Sequence, residues 1–142
     1  MNIKDLKKEL EKDLEIDLEN LQNESIKVAG LHGKWLGFAM DESGKLVALK
    51  SKMKRLKLRK WNYYLGRGTA AEYKAKPFQL KVLKSEVQQY VDADDDVRAL
   101  EDQIEVKEAI VDFLEGAVRA VSGKQWHIKN AIEFLKFKNG IV

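Results

Sequence analysis

The chain has 142 residues, with 26 Lys and Arg, 23 Asp and Glu, one Pro and no Cys. That length suits one domain, and the missing cysteines exclude a disulfide scaffold, a Cys-ligated zinc site and a thiol nucleophile. A net charge of +3 conceals a segregated pattern: residues 43–85 hold 13 cations and a single acid, Glu72, while the flanking segments 1–42 and 86–142 are both net acidic. Such asymmetry predicts a polyanion for the middle block, or contacts between unlike blocks of neighbouring subunits.

The opening MNIKDLKKELEKDLEIDLENL carries a charge every few residues. It reads as neither a signal peptide nor a membrane span, so the expected compartment is a cytoplasm, with no membrane partner. Within it Ile3, Leu6, Leu10, Leu14, Leu18 and Leu21 recur at steps of three and four, the stripe of an amphipathic helix. A break is expected near Ile16, with Asp17 capping a second helix. That helix continues over 18–40, weakened by Gly30, Gly33 and Gly37, each worth about 1 kcal/mol against Ala. Asp41-Glu42-Ser43-Gly44 reads as a turn or interruption.

From Lys45 a heptad seam begins: Leu46, Leu49, Met53, Leu56, Lys60 and Tyr63, with Lys60 contributing its aliphatic stem. Gly66 is expected to stop this helix as the residue after its C-cap. Residues 67–78 read as a loop around Pro77, and a short helix is expected over 79–91. The acids Asp92, Asp94, Asp95 and Asp96 supply N-cap carboxylates. The cleanest helix follows on Val97, Leu100, Ile104, Lys107, Val111, Leu114, Val118 and Val121, with Val106, Ile110, Phe113 and Ala117 widening its apolar face. Ser122-Gly123 is expected to end it, and a last helix spans about 125–138. No strand pattern competes. The fold class is therefore all-α: one elongated helical domain with coiled-coil-like heptad helices. It divides into N-terminal helices at 1–68 that include a basic segment at 45–68, a linker and short helix at 69–91, and C-terminal helices at 92–142.

The basic segment is the strongest functional signal. On a helix, Lys50, Lys54, Lys57, Trp61 and Tyr64 form one stripe, and Lys52, Arg55 and Arg59 another, on opposite flanks of the seam. Cations neutralise phosphates and release counterions, and aromatic rings stack on unpaired bases, worth roughly 1–3 kcal/mol each. Cations interleaved with aromatics suit a single strand better than a duplex. The competing reading is a solvated helix with Trp61 and Tyr63 in the core, although an ordinary solvated face mixes signs. Gly66-Arg67-Gly68 admits two readings, a helix stop or a loop that offers backbone N–H groups to a phosphate beside Arg67.

No catalytic pattern emerges. Gly44-Lys45 and Gly123-Lys124 lack the remaining residues of a phosphate-binding loop. The Asp92–Asp96 run suits helix capping, with no calcium-loop pattern after it. His32 and His127 stand apart from any acid-bearing motif. The chain is thus expected to be neither an enzyme nor a holder of metal or cofactor. The heptads from 97 to 121 suit either an intramolecular bundle or an oligomer, and the width of their apolar face, with Trp126, Phe134 and Phe137 beyond it, favours a homo-oligomer.

Particular words of the sequence also carry a family likeness. Leu56-Lys57-Leu58-Arg59 followed by Asn62-Tyr63-Tyr64-Leu65-Gly66-Arg67-Gly68 resembles the Lys-x-Arg and Tyr-Tyr-x-Gly-Arg-Gly element of the UvsY family, recombination mediators of T4-like bacteriophages. Further matches keep order and spacing: Lys12-Asp13, Lys34-Trp35-Leu36, Lys84-Ser85-Glu86, Ala93 to Val97, Asp112-Phe113 with Gly116-Ala117, and Ile128-Lys129. The resemblance implies a ring-shaped homo-oligomer, hexameric or heptameric. It further implies binding of single-stranded DNA, and loading of a RecA-like phage recombinase onto DNA coated by the phage single-stranded-DNA-binding protein. It places the Lys-x-Arg pair on Lys57 and Arg59; from the helix pattern itself, Lys50, Lys54, Arg55, Lys60 and Arg67 are expected to widen the patch and Trp61 and Tyr64 to stack. The resemblance places assembly on the C-terminal helices, where the heptad pattern offers Val97, Leu100, Ile104, Val111, Leu114, Val118, Ile128, Ile132 and Leu135. The alternative is a non-catalytic helical adaptor whose basic middle docks on acidic blocks of its neighbours.

Overall fold

A computed structural model describes residues 2–140. Among these the chain forms five helices and no strand: α1 (Ile3–Leu14), α2 (Leu21–Tyr64), α3 (Ala70–Ala75), α4 (Val87–Ala93) and α5 (Asp95–Lys138). They build two compact units, one from residues 1–43 and 109–142, the other from 44–108. This partition cuts across the chain-order division expected from sequence, because α2 and α5 each contribute to both units. No helix among the described residues is long and apolar enough to cross a membrane.

Both expected interruptions of the long helices are absent. α2 runs 44 residues straight through Asp41–Gly44, and α5 runs 44 residues through Ser122-Gly123. The physical reason is continuity of the seam. The α2 spacing that gives Leu46, Leu49 and Met53 extends backwards through Glu42, Ala39 and Trp35 without losing step. Glu42 and Lys124 sit in these seams and are buried despite their charge. A glycine costs a helix about 1 kcal/mol, which an uninterrupted buried face outweighs. The expected break near Ile16 is present. There Asp17 accepts from the Glu19 N–H at 3.0 Å, and α2 starts at Leu21. In the stretch read as loop, Thr69 and Glu72 form a reciprocal capping box that starts the one-and-a-half turns of α3. Residues 79–86 lie outside α4, which is shorter than expected.

In the first unit Leu6 of α1, Trp35 and Ala39 of α2, and Ile110, Leu114, Ala117 and Val121 of α5 form one core. Burying each of its large side chains contributes about 1.5–3 kcal/mol. Polar contacts fix α1 on this core. The Trp35 indole N–H donates to Asp13 Oδ2 at 2.9 Å, and Lys34 Nζ reaches Asp13 and Glu9, each at 2.7 Å. Burial opposes ionisation of Asp13, but the Lys34 and Trp35 donors outweigh it and hold this carboxyl below its usual value. Lys124 lies beneath, bonded to Glu24 at 2.9 Å and to the Asp13 carbonyl at 2.9 Å.

In the second unit Met53, Tyr63 and Tyr64 of α2 pack with Val87 and Val91 of α4 and Val97 and Leu100 of α5. The heptad row of α5 is therefore largely spent inside the protomer. Val97, Leu100, Val111, Leu114 and Ile128 are buried, and Ile104, Val118 and Ile132 are half-buried. Val97, Leu100, Val111, Leu114 and Ile128, already covered inside the protomer, offer no face to a neighbour, whereas Ile104, Val118 and Ile132 keep part of theirs. Leu135 alone of that set is exposed. It stands near the exposed Trp126, Phe134 and Phe137.

Candidate nucleic-acid interface

The basic part of α2 lies in the second unit and carries its cations on the two flanks that the seam leaves free. Lys52, Lys54, Arg55 and Arg59 are exposed and Lys57 is half-buried. None of these five pairs with a carboxylate among the described residues. Arg55 makes one side-chain contact, from Nη1 to Ser51 Oγ at 3.2 Å, one turn back. Arg67, just past the helix end, is also exposed and has no ion pair among the described residues.

Three residues of the expected patch are placed differently. Lys50 is exposed but pairs with Glu108 of α5 at 3.2 Å. Lys60 keeps only 15% of its side chain exposed and pairs with Asp96 at 2.8 Å and Asp94 at 3.3 Å. Burial penalises its charge, yet the two acids overcome that and raise its pKa. Tyr64 is buried, edge-on to Phe78 at 5.0 Å and to Tyr63 at 5.0 Å, and its hydroxyl donates to Asp94 Oδ2 at 2.7 Å. Burial, then the adjoining Asp94 carboxylate, pushes this phenol far above its ordinary value. Lys60 and Tyr64 thus serve the fold, which corrects their placement on a nucleic-acid face. A stacking ring must be open to a base, and this one is enclosed by other rings. Trp61 is half-buried against the same core and shows only part of its ring.

Asp94 organises this region and does more than cap a helix. It is the residue before α5, and Oδ1 accepts from the N–H groups of Asp96 and Val97 at 2.9 and 3.2 Å. Its side chain is fully buried. Desolvation works against its charge, but donors from Tyr64, Val97 and Lys60 keep the carboxyl below the usual carboxylate range. The signal available in the sequence was the pairing of Tyr64 and Asp94 among the family-like words.

Gly66-Arg67-Gly68 resolves as a helix stop. Gly66 has φ +79°, the left-handed conformation that favours glycine. Its N–H donates to the Tyr63 carbonyl at 3.2 Å and that of Arg67 to Asn62 at 2.8 Å, the two bonds of a Schellman closure. The Gly68 N–H donates to the Tyr73 hydroxyl at 3.0 Å, and a Cβ at Gly68 would meet that ring at 3.1 Å. All three amides are occupied, so the loop presents the Arg67 guanidinium and no open N–H cradle. Glu72, the single acid of the basic block, is held in the α3 capping box.

No group of three or more His, Cys, Asp or Glu side chains among the described residues is placed to hold a metal ion. The class that fold and surface define is an all-α protein with a one-signed cationic helix face suited to a polyanion. Comparison with known proteins makes the class specific. Residues 9–141 match the family described as "Recombination, repair and ssDNA binding protein UvsY", and the chain belongs to that family. It is 28% identical over 140 residues to the recombination protein uvsY of Enterobacteria phage T4, spanning 99% of each chain. Its fold matches crystal structures of the bacteriophage T4 recombination mediator protein UvsY. In lattice type II the TM-score is 0.85 at 27% identity, covering 98% of both chains. In lattice type I it is 0.84 at 27% identity, covering 94% of this chain and 98% of that one.

Proposed function

We propose that this protein is a recombination mediator that binds single-stranded DNA through the exposed flanks of α2 and promotes loading of a RecA-like phage recombinase onto DNA coated by single-stranded-DNA-binding protein. The observation that carries this reading is the set Lys52, Lys54, Arg55, Lys57, Arg59 and Arg67, which has no carboxylate partner among the described residues. Lys57 and Arg59 contact phosphates, the others widen the patch, and the open part of Trp61 stacks. Lys50 joins once a phosphate displaces Glu108. The protomers assemble into a ring of six or seven through the exposed apolar end of α5, where Phe137 is 83% exposed. A strand wrapped on such a ring meets many copies of one weak site, and effective concentration multiplies the affinity. The imposed path loosens the coat protein, and the recombinase nucleates on the freed strand. The chain itself carries out no catalysis in this scheme.

The adaptor reading has one observation in its favour, since the basic block does meet acids at Lys50 and Lys60. Those acids belong to the same protomer, however. Anisotropy of labelled oligo-dT over a salt series separates the two readings. Six phosphate contacts give a log–log salt slope of about −4 for a single strand, and Lys57→Ala/Arg59→Ala lowers it to about −3 with weaker binding throughout. Light scattering checks that both samples keep one mass. No oligo-dT binding by the wild-type protein refutes the mediator reading and favours the adaptor.

A further inference from the structure

The segment joining α3 to α4 carries a surface separate from the α2 cations. Lys76, just before Pro77, is held extended at φ −140° and ψ 95°, as a following proline demands. Residues 77–83 then run without regular structure. Two side chains tie this run to the second unit's core: Phe78, 5.0 Å from the Tyr64 ring and 6.0 Å from that of Tyr90, and Val82. Between and beyond these anchors Leu80 and Leu83 are turned out to water, 66% and 62% exposed. Lys74, Lys76, Lys81 and Lys84 flank them along the chain, all exposed and none ion-paired among the described residues. Among the described residues, no backbone N–H or C=O of residues 78–82 is hydrogen-bonded.

These features together select a class of partner. The phosphodiester backbone of a nucleic acid only accepts hydrogen bonds, from lysines and amides, and a single strand leaves the leucines uncovered, because an aliphatic side chain gives a base no ring to stack on. A polypeptide meets every demand at once. Its carboxylates face the lysines, its apolar side chains cover the leucines, and its backbone offers both donors and acceptors. Anchored at Phe78 and Val82, the segment is already held in place and little ordering cost remains on binding. We propose that residues 74–84 form a docking site for an acidic polypeptide segment that carries aliphatic side chains. The site goes beyond the DNA-binding reading and does not depend on it.

The test uses the full chain and a short fluorescein-labelled peptide repeating Asp-Asp-Leu, beside an Asp-only peptide and oligo-dT. The Asp-Asp-Leu peptide binds the wild-type protein more tightly than the Asp-only peptide. Leu80→Ser/Leu83→Ser weakens that binding about tenfold and leaves the melting temperature and oligo-dT affinity unchanged, since both leucines lie outside the core. Lys81→Glu/Lys84→Glu abolishes it. Three results overturn the proposal: no peptide binding, equal binding of both peptides with no effect of the leucine changes, or an equal loss of oligo-dT affinity in the leucine variant. The last would give the segment to nucleic acid. Failure of wild-type protein to bind oligo-dT, with peptide binding intact, refutes the mediator reading and leaves this site standing.

Discussion

Tyr64→Phe separates a core tyrosine from a base-stacking one. The substitution keeps the ring, its contacts with Phe78, Tyr63 and Tyr90, and nearly all of its volume. It deletes one hydroxyl, the donor at 2.7 Å to a carboxylate whose side chain is fully buried. A hydrogen bond to a charged group is worth about 1.5–3 kcal/mol. Asp94 retains the N–H groups of Asp96 and Val97 and the Lys60 ammonium, so the lower part of that range applies, about 1.5–2 kcal/mol. For a chain of this size the melting temperature falls by roughly 3–8 °C. The alkaline limb supplies a second signature. The folded pKa of Tyr64 is raised, so its contribution is complete below the unfolded tyrosine value near 10 and is lost as pH rises towards the folded value. Wild-type protein therefore loses more stability above pH 10 than the variant does. Urea melts at fixed protomer concentration, at neutral and alkaline pH, measure both effects. Oligo-dT affinity stays unchanged. A loss of stability below about 0.5 kcal/mol, together with a severalfold loss of DNA affinity, would show that the ring faces nucleic acid and refute the burial argument.

Other expectations follow the same logic. Lys124→Ala leaves Glu24 buried without its partner and destabilises by about 3–5 kcal/mol in urea melts, whereas Glu24→Leu/Lys124→Met is close to neutral. Gly44→Ala gains about 1 kcal/mol, because the position is exposed, helical and open around the Cβ; a loss would indicate a break in α2. Asp13→Asn flattens the acid limb. Its lowered pKa gives stability that is present above the unfolded value near 3.8 and lost as pH falls through the folded one, and an acid titration of unfolding shows whether that limb is missing.

The all-α class, the first break and the stop at Gly66 were legible because each rests on local chemistry: a 3.6-residue period, an Asx turn, a left-handed glycine. The two false interruptions share a cause. At Glu42 and Lys124 the seam carries a charge, and next to glycine or serine a buried charge has the sequence pattern of a loop. What makes each position tolerable lies far along the chain, as Glu24 does for Lys124. The same holds for the site. That cations gather on α2 is a matter of composition, but which of them are free depends on Glu108, Asp94 and Asp96 of distant segments. The family-like words prove to be packing words: Asp13 meets Lys34 and Trp35, and Tyr64 meets Asp94. They carry the resemblance because they hold the fold, whereas the helix stripe that sets Tyr64 beside Lys57 and Trp61 does not show that Asp94 and Phe78 enclose it.

The buried charges have one more consequence, for alignment. A seam of apolar residues spaced three and four apart looks much the same after a slide of seven residues, about 10.5 Å along a helix. Apolar packing alone thus leaves two antiparallel helices several near-equivalent ways to pair. In the first unit, moving α5 by one repeat would strand Lys124 and Glu24 in separate apolar surroundings. In the second unit, the same slip would part Lys60 from Asp94. Each slipped pairing leaves a buried ion alone, at about 3–5 kcal/mol apiece, so one alignment is selected in each unit. Two charges that look like flaws in the heptads act as the notches by which these long helices find their place.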